Sequence, residues 1–377
     1  MNKFGKLGLV VGILPVAAIA TWVVLHKPSP KTGLGVRVGA NLPLSGPLAT
    51  YGAAVREGVT LALEDLKKIS DRRLEFDWQD NASEPKTAVT ILQKQFLDPP
   101  DVYVSGVKPQ TMAIKDQVAA KGIPHFVWIF DAFINRDSTN NLRTWVSYKI
   151  EAPVYLAYAK ERSSKRVAIV HVQLPHAIEE FSKIVVPGLK AQGVEEVMVE
   201  PFDLGKADFK DVGVKFENFR PDLIILNGFQ SDMIALVRAL RPLGLISDGN
   251  TIATYDMLDA AKVLGADELE GIRVVAPVFE TRPDSSEIAQ WREQFMKRFH
   301  KSPLYTHAFA YDMALIIDDA AKRLKPPSSP VKWLEALRAT DLKGVTGPLK
   351  FDNDGDLITP LEVGVYREGK LVPVNAK

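Results

Sequence analysis

The sequence predicts an α/β fold of two doubly wound, parallel-sheet lobes preceded by an N-terminal apolar helix. Three observations carry this. Short apolar runs alternate with loops and amphipathic helical stretches, and such repeated βα units imply parallel pairing with helices on both faces. The pattern halts after Trp145 and restarts at Arg166, with no residue-level repeat between the two halves. At 377 residues the chain exceeds the usual single-domain size, and 46% hydrophobic content is ample for two cores.

The first unit is the clearest. A short apolar run ends at Gly39 and Ala40 and reads as a buried strand, and Leu42 to Gly52 is a loop dense in Pro, Gly, Ser and Thr. Val55, Val59, Ala62, Leu63 and Leu66 then fall on one face of a helix whose other face carries Arg56, Glu64 and Lys67. In an open α/β sheet, the loop leaving the carboxyl end of a strand sits at the ligand crevice, and the next helix aims its free N–H groups there. Ser45 and Tyr51 are therefore candidate ligand contacts.

The remaining elements follow in order. Arg73 to Trp78 alternates as a strand, and a helix starting near Ser83 and Pro85 turns Ala88, Leu92 and Phe96 inward. Val102 to Val104 is a brief buried strand, Thr111 to Lys121 a helix capped by Gly122, and His125 to Phe130 an apolar strand. In the second half, strands are expected at Val167 to Val172, Glu196 to Val199, Leu223 to Leu226, Thr251 to Ala253 and Ile272 to Val275. Helices are expected at Ala177 to Gln192, Asp208 to Asn218, Ser231 to Leu240 and Asp259 to Leu264. Ser286 to Arg298 and Ala308 to Leu324 are strongly helical, and Gly347 to Val372 reads as strands with a tight turn at Asp352 to Asp356.

Charge and composition exclude several classes. With 47 basic against 46 acidic residues the net charge is +1, and no basic run interleaves with aromatics, so nucleic acid is not an expected partner. The absence of cysteine removes disulfides, thiolate metal sites and cysteine nucleophiles. Lys3 and Lys6 precede an uncharged apolar run from Leu7 to Leu25, closed by His26-Lys27-Pro28-Ser29-Pro30. This is a signal peptide, with Ala18-Ile19-Ala20 as a cleavage site, or a membrane anchor; Trp22 to Leu25 favours retention by extending the run to nearly spanning length. Either way the positive-inside preference leaves the rest of the chain outside the cytoplasm.

No dinucleotide or phosphate-loop glycine motif, zinc-protease helix or nucleophile elbow is present. The six histidines include no pair at i and i+4 in one helix, and taking Asp352, Asp354 and Asp356 as calcium ligands puts Leu357 where the turn glycine is needed. No metal or other cofactor is expected.

The strings LPLSGPLATYG and REGVTLALEDL resemble the first strand, loop and helix of the leucine/isoleucine/valine-binding protein family, the periplasmic binding subunits of branched-chain amino-acid ABC transporters. The likeness continues through DNASEPKTAV, ADFKDVGVKFENFRPDLIILNG, ADELEGIRVVAPVF and GVTGPLKFDNDGDL, and spans residues 36 to 366. It implies lobes joined by a three-strand hinge, crossed near Tyr148, Val278 and Val345. Residues 34–148 and 279–345 would form lobe 1, 149–278 and 346–377 lobe 2, and 1–33 the leader and linker. It also implies a monomer that captures a small molecule by hinge closure and presents it to an ABC permease.

Carried onto this chain, the resemblance assigns Tyr51 and Phe229 as aromatics covering the ligand, and Tyr148 as a contact at the first crossing. In the loop Gly106 to Thr111 after the third strand, Lys108 and Gln110 stand in place of the family's small hydroxyl residues, and Thr111 is a further candidate contact. A lysine at a helix N-terminus opposes the helix dipole; a ligand carboxylate would explain it, and so would a side chain in solvent. After the fourth strand, Trp128, Phe130 and Asp131 stand where the family has small residues, either stacking on a ligand or packing beneath the loop, with Asp131 able to pair with Lys108. His176 lies in a loop that often reads Tyr-Gly in the family, and Tyr255 and Asp256 lie where amino-acid binders hold the α-ammonium. These departures favour an aromatic or other organic carboxylate over leucine, isoleucine or valine. A membrane-tethered sensor acting through a partner is one alternative. An α/β enzyme using His176, Asp131 or Asp256 is another, without nucleophile-base spacing to support it.

Overall fold

A computed structural model describes residues 35–135, 138–325 and 327–374. The expected N-terminal helix, its cleavage or anchoring, and the linker to residue 33 lie outside these residues. Among the described residues no helix is long and apolar enough to cross a membrane.

Strand β1 (Gly35–Leu42) buries Val36, Val38, Ala40 and Leu42. It pairs in parallel with β2 (Arg73–Asp80) on one side and β3 (Val102–Gly106) on the other, and β4 (His125–Trp128) and β5 (Asn141–Arg143) complete the order β2-β1-β3-β4-β5. The sequence pattern missed β5, whose Asn-Leu-Arg carries a single apolar side chain. The long helices Ala49–Ile69 and Tyr305–Lys322 pack on this sheet, and a Cβ at Gly58 would lie 2.1 Å from the His307 carbonyl oxygen. Only glycine permits that approach.

The second sheet contains β6 (Arg166–Val172), β7 (Glu196–Phe202), β8 (Leu223–Leu226), β9 (Thr251–Ala253) and β10 (Arg273–Pro277), all parallel. The hairpin β13 (Leu361–Arg367) and β14 (Lys370–Pro373) extends it antiparallel beyond β10. Two expected helices differ. Asp259 to Leu264 is replaced by short helices at Met257–Ala260 and Ala266–Leu269, the second begun where Glu268 accepts the Gly265 N–H at 2.9 Å. Ala177 to Gln192 is helical but contains a π-helical stretch, Ile178–Val185, in which the Val186 N–H reaches the Phe181 carbonyl. Pro187 follows directly, has no N–H to donate, and crowds the preceding turn, which widens the helix.

The chain passes between the sheets after β5, after β10, and after Leu357. The last passage comes later than the Val345 that the resemblance implied. Val345 is instead the turn of a hairpin joining β11 (Asp341–Gly344) to β12 (Gly347–Lys350). Asp312 anchors that turn by accepting the Val345 and Thr346 N–H groups, both at 2.8 Å, and the Thr346 hydroxyl at 2.6 Å. Leu349, Phe351 and Leu357 accordingly bury in the first core, and Asp352 to Asp356 forms the expected turn, closed by a Phe351 to Leu357 bridge.

One buried ion pair ties the first and third crossings together. Arg143, 1% exposed, donates from Nε to Asp356 Oδ1 at 2.9 Å and from Nη1 to the carbonyls of Trp145 and Val146 at 3.3 and 3.2 Å. Asp356 also accepts from Asn135 Nδ2 at 2.6 Å and pairs with Lys149 at 3.1 Å. Removing one partner of a buried pair strands the other, so Arg143→Met should cost about 3–5 kcal/mol in urea-induced unfolding, with Arg143→Met/Asp356→Leu recovering much of the loss.

Candidate ligand-binding site

The carboxyl ends of the parallel strands in both lobes face one another across a cavity of about 430 Å³. Loops after β1, β3 and β4, with Trp145 and Tyr305, form one wall; loops after β6, β8 and β9 form the other. A cavity of this size accommodates a ligand of roughly amino-acid or single-ring dimensions.

The first wall is shaped by the end of β3. A Cβ on Gly106 would lie 2.9 Å from the Leu42 side chain and 3.3 Å from Trp128 Cβ, so the strands close up there only around glycine. Val107 follows with φ 66° and ψ 134°, a conformation costing a β-branched residue about 1–3 kcal/mol. It is held by its N–H to the Trp128 carbonyl at 3.2 Å and by its carbonyl accepting the Thr111 N–H at 3.0 Å. The next residue opens the helix Lys108–Ala120. Lys108 Nζ lies 2.6 Å from Asp131 Oδ2; the lysine is half-exposed and the aspartate buried. Asp131 compensates a cation that the helix dipole disfavours.

Aromatic rings form the depth of the cleft and bring the lobes into contact. The Phe130 ring of the first lobe is 5.2 Å from His176 and 5.8 Å from Tyr255 of the second, and Tyr255 is 5.8 Å from Tyr305 of the first. These separations are those of favourable edge and offset ring pairs. Trp128 lines the cavity yet is 7% exposed and donates its N–H to Met313 Sδ at 3.4 Å, so it combines the two roles expected for the aromatics of its loop. Tyr51 and Phe229, 46% and 41% exposed, flank the cleft from opposite lobes.

The second wall is acidic. Burial, then repulsion from Asp259, pushes the Asp256 carboxyl up to about 7. Behind it, fully buried Glu151 accepts the Tyr155 hydroxyl at 2.8 Å and the Tyr255 N–H at 3.3 Å, and burial drives it up to about 8. Burial also raises Glu180 on the π-helical stretch, where neither carboxyl oxygen has a hydrogen-bond partner among the described residues. Burial lowers His176 to about 4, leaving a neutral imidazole at pH 7. Among the described residues no cluster of three or more acids and histidines could hold a metal ion.

The cavity thus brings together Tyr51, Lys108, Trp128, Phe130, Asp131, His176, Phe229, Tyr255 and Asp256. Four candidates turn elsewhere. Ser45 is exposed and bonds with its backbone N–H and side chain to Asp80; the Gln110 amide donates to the Ser83 carbonyl; the Thr111 hydroxyl meets Ser105 Oγ at 2.9 Å in the core. Tyr148 is buried behind Phe130, 6.3 Å ring to ring. Sequence reasoning missed Trp145, Tyr305 and Asp259 as lining residues. Tyr305 begins a helix placed three residues too late, whose signal is His307 Nδ1 accepting the Leu304 N–H at 2.9 Å rather than a Ser, Thr or Asp cap.

A family model described as Periplasmic binding protein matches residues 35–370. The leucine-, isoleucine-, valine-, threonine- and alanine-binding protein of Pseudomonas aeruginosa is 24% identical over 334 residues, covering 85% of this chain and 87% of that protein. Among solved structures, the fold is similar to a leucine-binding protein from Thermotoga maritima, with TM-score 0.72 and 19% identity over 89% of this chain and 97% of that one. It is also similar to an ABC-transporter solute-binding protein from R. palustris in complex with benzoate, with TM-score 0.73 and 18% identity over 90% and 95% of the two chains.

The raised carboxyls set a direction for stability against pH. Glu151 has an unfolded-state pKa of about 4.3, well below its folded value of about 8, so its contribution is complete in acid and is lost as pH rises through 8. Asp256 adds a loss through about 7. Melting temperature should therefore fall between pH 5 and pH 9, and Glu151→Gln, which keeps an acceptor for Tyr155, should flatten that fall by raising stability at the alkaline end.

Proposed function

The chain belongs to the periplasmic binding protein family, and from that membership and the cleft we propose an extracytoplasmic solute-binding protein that delivers a small aromatic carboxylate to an ABC permease. The observation that carries the ligand class is Lys108, seated on an otherwise aromatic and apolar wall with Asp131 as its counterion. A ligand carboxylate takes the place of Asp131 at Lys108 Nζ, as a charge-assisted hydrogen bond of similar geometry. Its ring enters among Phe130, His176 and Tyr255, and Tyr51 and Phe229 cover it from the two lobes. The lobes turn about the crossings, and the liganded form is what the permease meets. No bond is made or broken. The benzoate held by the R. palustris protein supports the same class of ligand on this fold.

A second reading, an amino acid, is favoured by Asp256 and Asp259 on the second wall, which could receive an ammonium group, and by the amino acids named for the Pseudomonas relative. Of the groups that the enzyme alternative would use, His176 is neutral at pH 7 and Asp131 is paired with Lys108.

Intrinsic fluorescence titration against benzoate, hydroxybenzoates, leucine, isoleucine and valine separates the two ligand classes. Saturable micromolar binding of the aromatic acids is expected, with Lys108→Ala weakening it about ten- to a hundredfold and the ligand recovered unchanged. Micromolar leucine binding without aromatic-acid binding would overturn the reading.

A further inference from the structure

The charges in the cleft do not balance for an anionic guest. Among the described residues its lining contains one lysine or arginine, Lys108, already met by Asp131, and the titratable groups that the second lobe contributes are Tyr255, Asp256, Asp259 and the neutral His176. Asp259 is compensated from outside the cleft by Lys262 at 2.5 Å. Asp256 has no such partner: its carboxyl is met by the Thr254 hydroxyl at 3.4 Å and by no basic side chain among the described residues.

Among the described residues, no titratable group named as facing Asp256 supplies a positive charge. Asp259 lies on its own helix, Asp232 on Gln230–Leu240, Glu151 on Tyr148–Glu161, and Glu180 on the π-helical stretch. The phenols of Tyr51 and Tyr305 face it from the first lobe. Glu151, Glu180 and Asp232 are each at most 1% exposed, and each retains at least one carboxyl oxygen with no hydrogen-bond partner among the described residues. A carboxylate entering this cleft while Asp256 is ionised adds a second anion beside an unneutralised first. A protonated Asp256 instead presents an O–H donor on the cleft lining.

We propose that capture of a carboxylate in this cleft is coupled to uptake of one proton by Asp256, so that the protein binds an organic acid together with a proton. This rests on the carboxylate reading given above. The proton comes from solvent, the Asp256 Oδ–H bond forms, and no other bond changes. The raised carboxyl of free Asp256 makes the step accessible near neutral pH, and linkage then lowers affinity about tenfold per pH unit on the alkaline side. An ammonium ligand would reverse the sign, because it binds the ionised carboxylate.

The test is calorimetric titration of the full chain with benzoate from pH 5.5 to 8.5, in buffers of differing ionisation enthalpy so that the proton count is read directly. Uptake approaching one proton per benzoate at pH 8, vanishing near pH 5.5, is expected; Asp256→Asn should bind benzoate with neither the uptake nor the pH slope. Benzoate binding that is flat with pH, that strengthens as pH rises, or whose uptake persists in Asp256→Asn and vanishes in His176→Gln, overturns this inference and leaves the carboxylate reading standing. Failure of benzoate to bind at any pH overturns both. The proton count of the unaltered chain stands whether or not Asp256→Asn folds.

Discussion

The buried guanidinium of Arg143 is the point on which the two-lobed arrangement depends. It sits at the end of a three-residue strand, among the carbonyls of the first crossing and against Asp356, just before the third. Five donors in a fixed planar fork are well suited to bind carbonyls and a carboxylate at once, which a lysine could not do. The same side chain reaches the Phe130 carbonyl at 3.4 Å, so hinge and cleft wall share one anchor. A polar cluster this deep specifies one arrangement of the segments because any other leaves a charge without partners.

The two walls of the cleft solve opposite electrostatic problems. The first places a lysine where the helix dipole resists it and compensates with an aspartate from the neighbouring loop. The second buries carboxyls without cations and lets them hold their protons, which is cheaper than ionising them in a dry interior. Between them, rings from both lobes touch at 5.2 to 5.8 Å, so at the depth of the cleft the lobes meet through uncharged rings.

Much of this was legible in the sequence, and the limits have physical causes. Alternation in β1 and helical periodicity after it survive because one face of each element is buried, and the departures from the family pattern at Lys108, Trp128, Phe130 and Asp131 led directly to the first wall. Residue type within a loop does not show which way a side chain turns. Ser45, Gln110 and Thr111 each had a nearer polar partner in Asp80, Ser83 and Ser105, and those local bonds took precedence. Trp145 follows a strand too short for any periodicity, and Tyr305 comes from the far side of the second crossing.

The late third passage also has a consequence for how the molecule is made. β13 joins the second sheet beside β10 only after the residues from Val278 to Leu357 have gone into the opposite lobe. Synthesis from the N-terminus can finish neither lobe in turn: the first waits for Leu357, and the second for the last strands to emerge. Until then the edge of β10 stands open with its backbone groups unpaired, a surface that invites association with other chains. Both halves are therefore completed late, once Leu357 and the β13–β14 hairpin have been made.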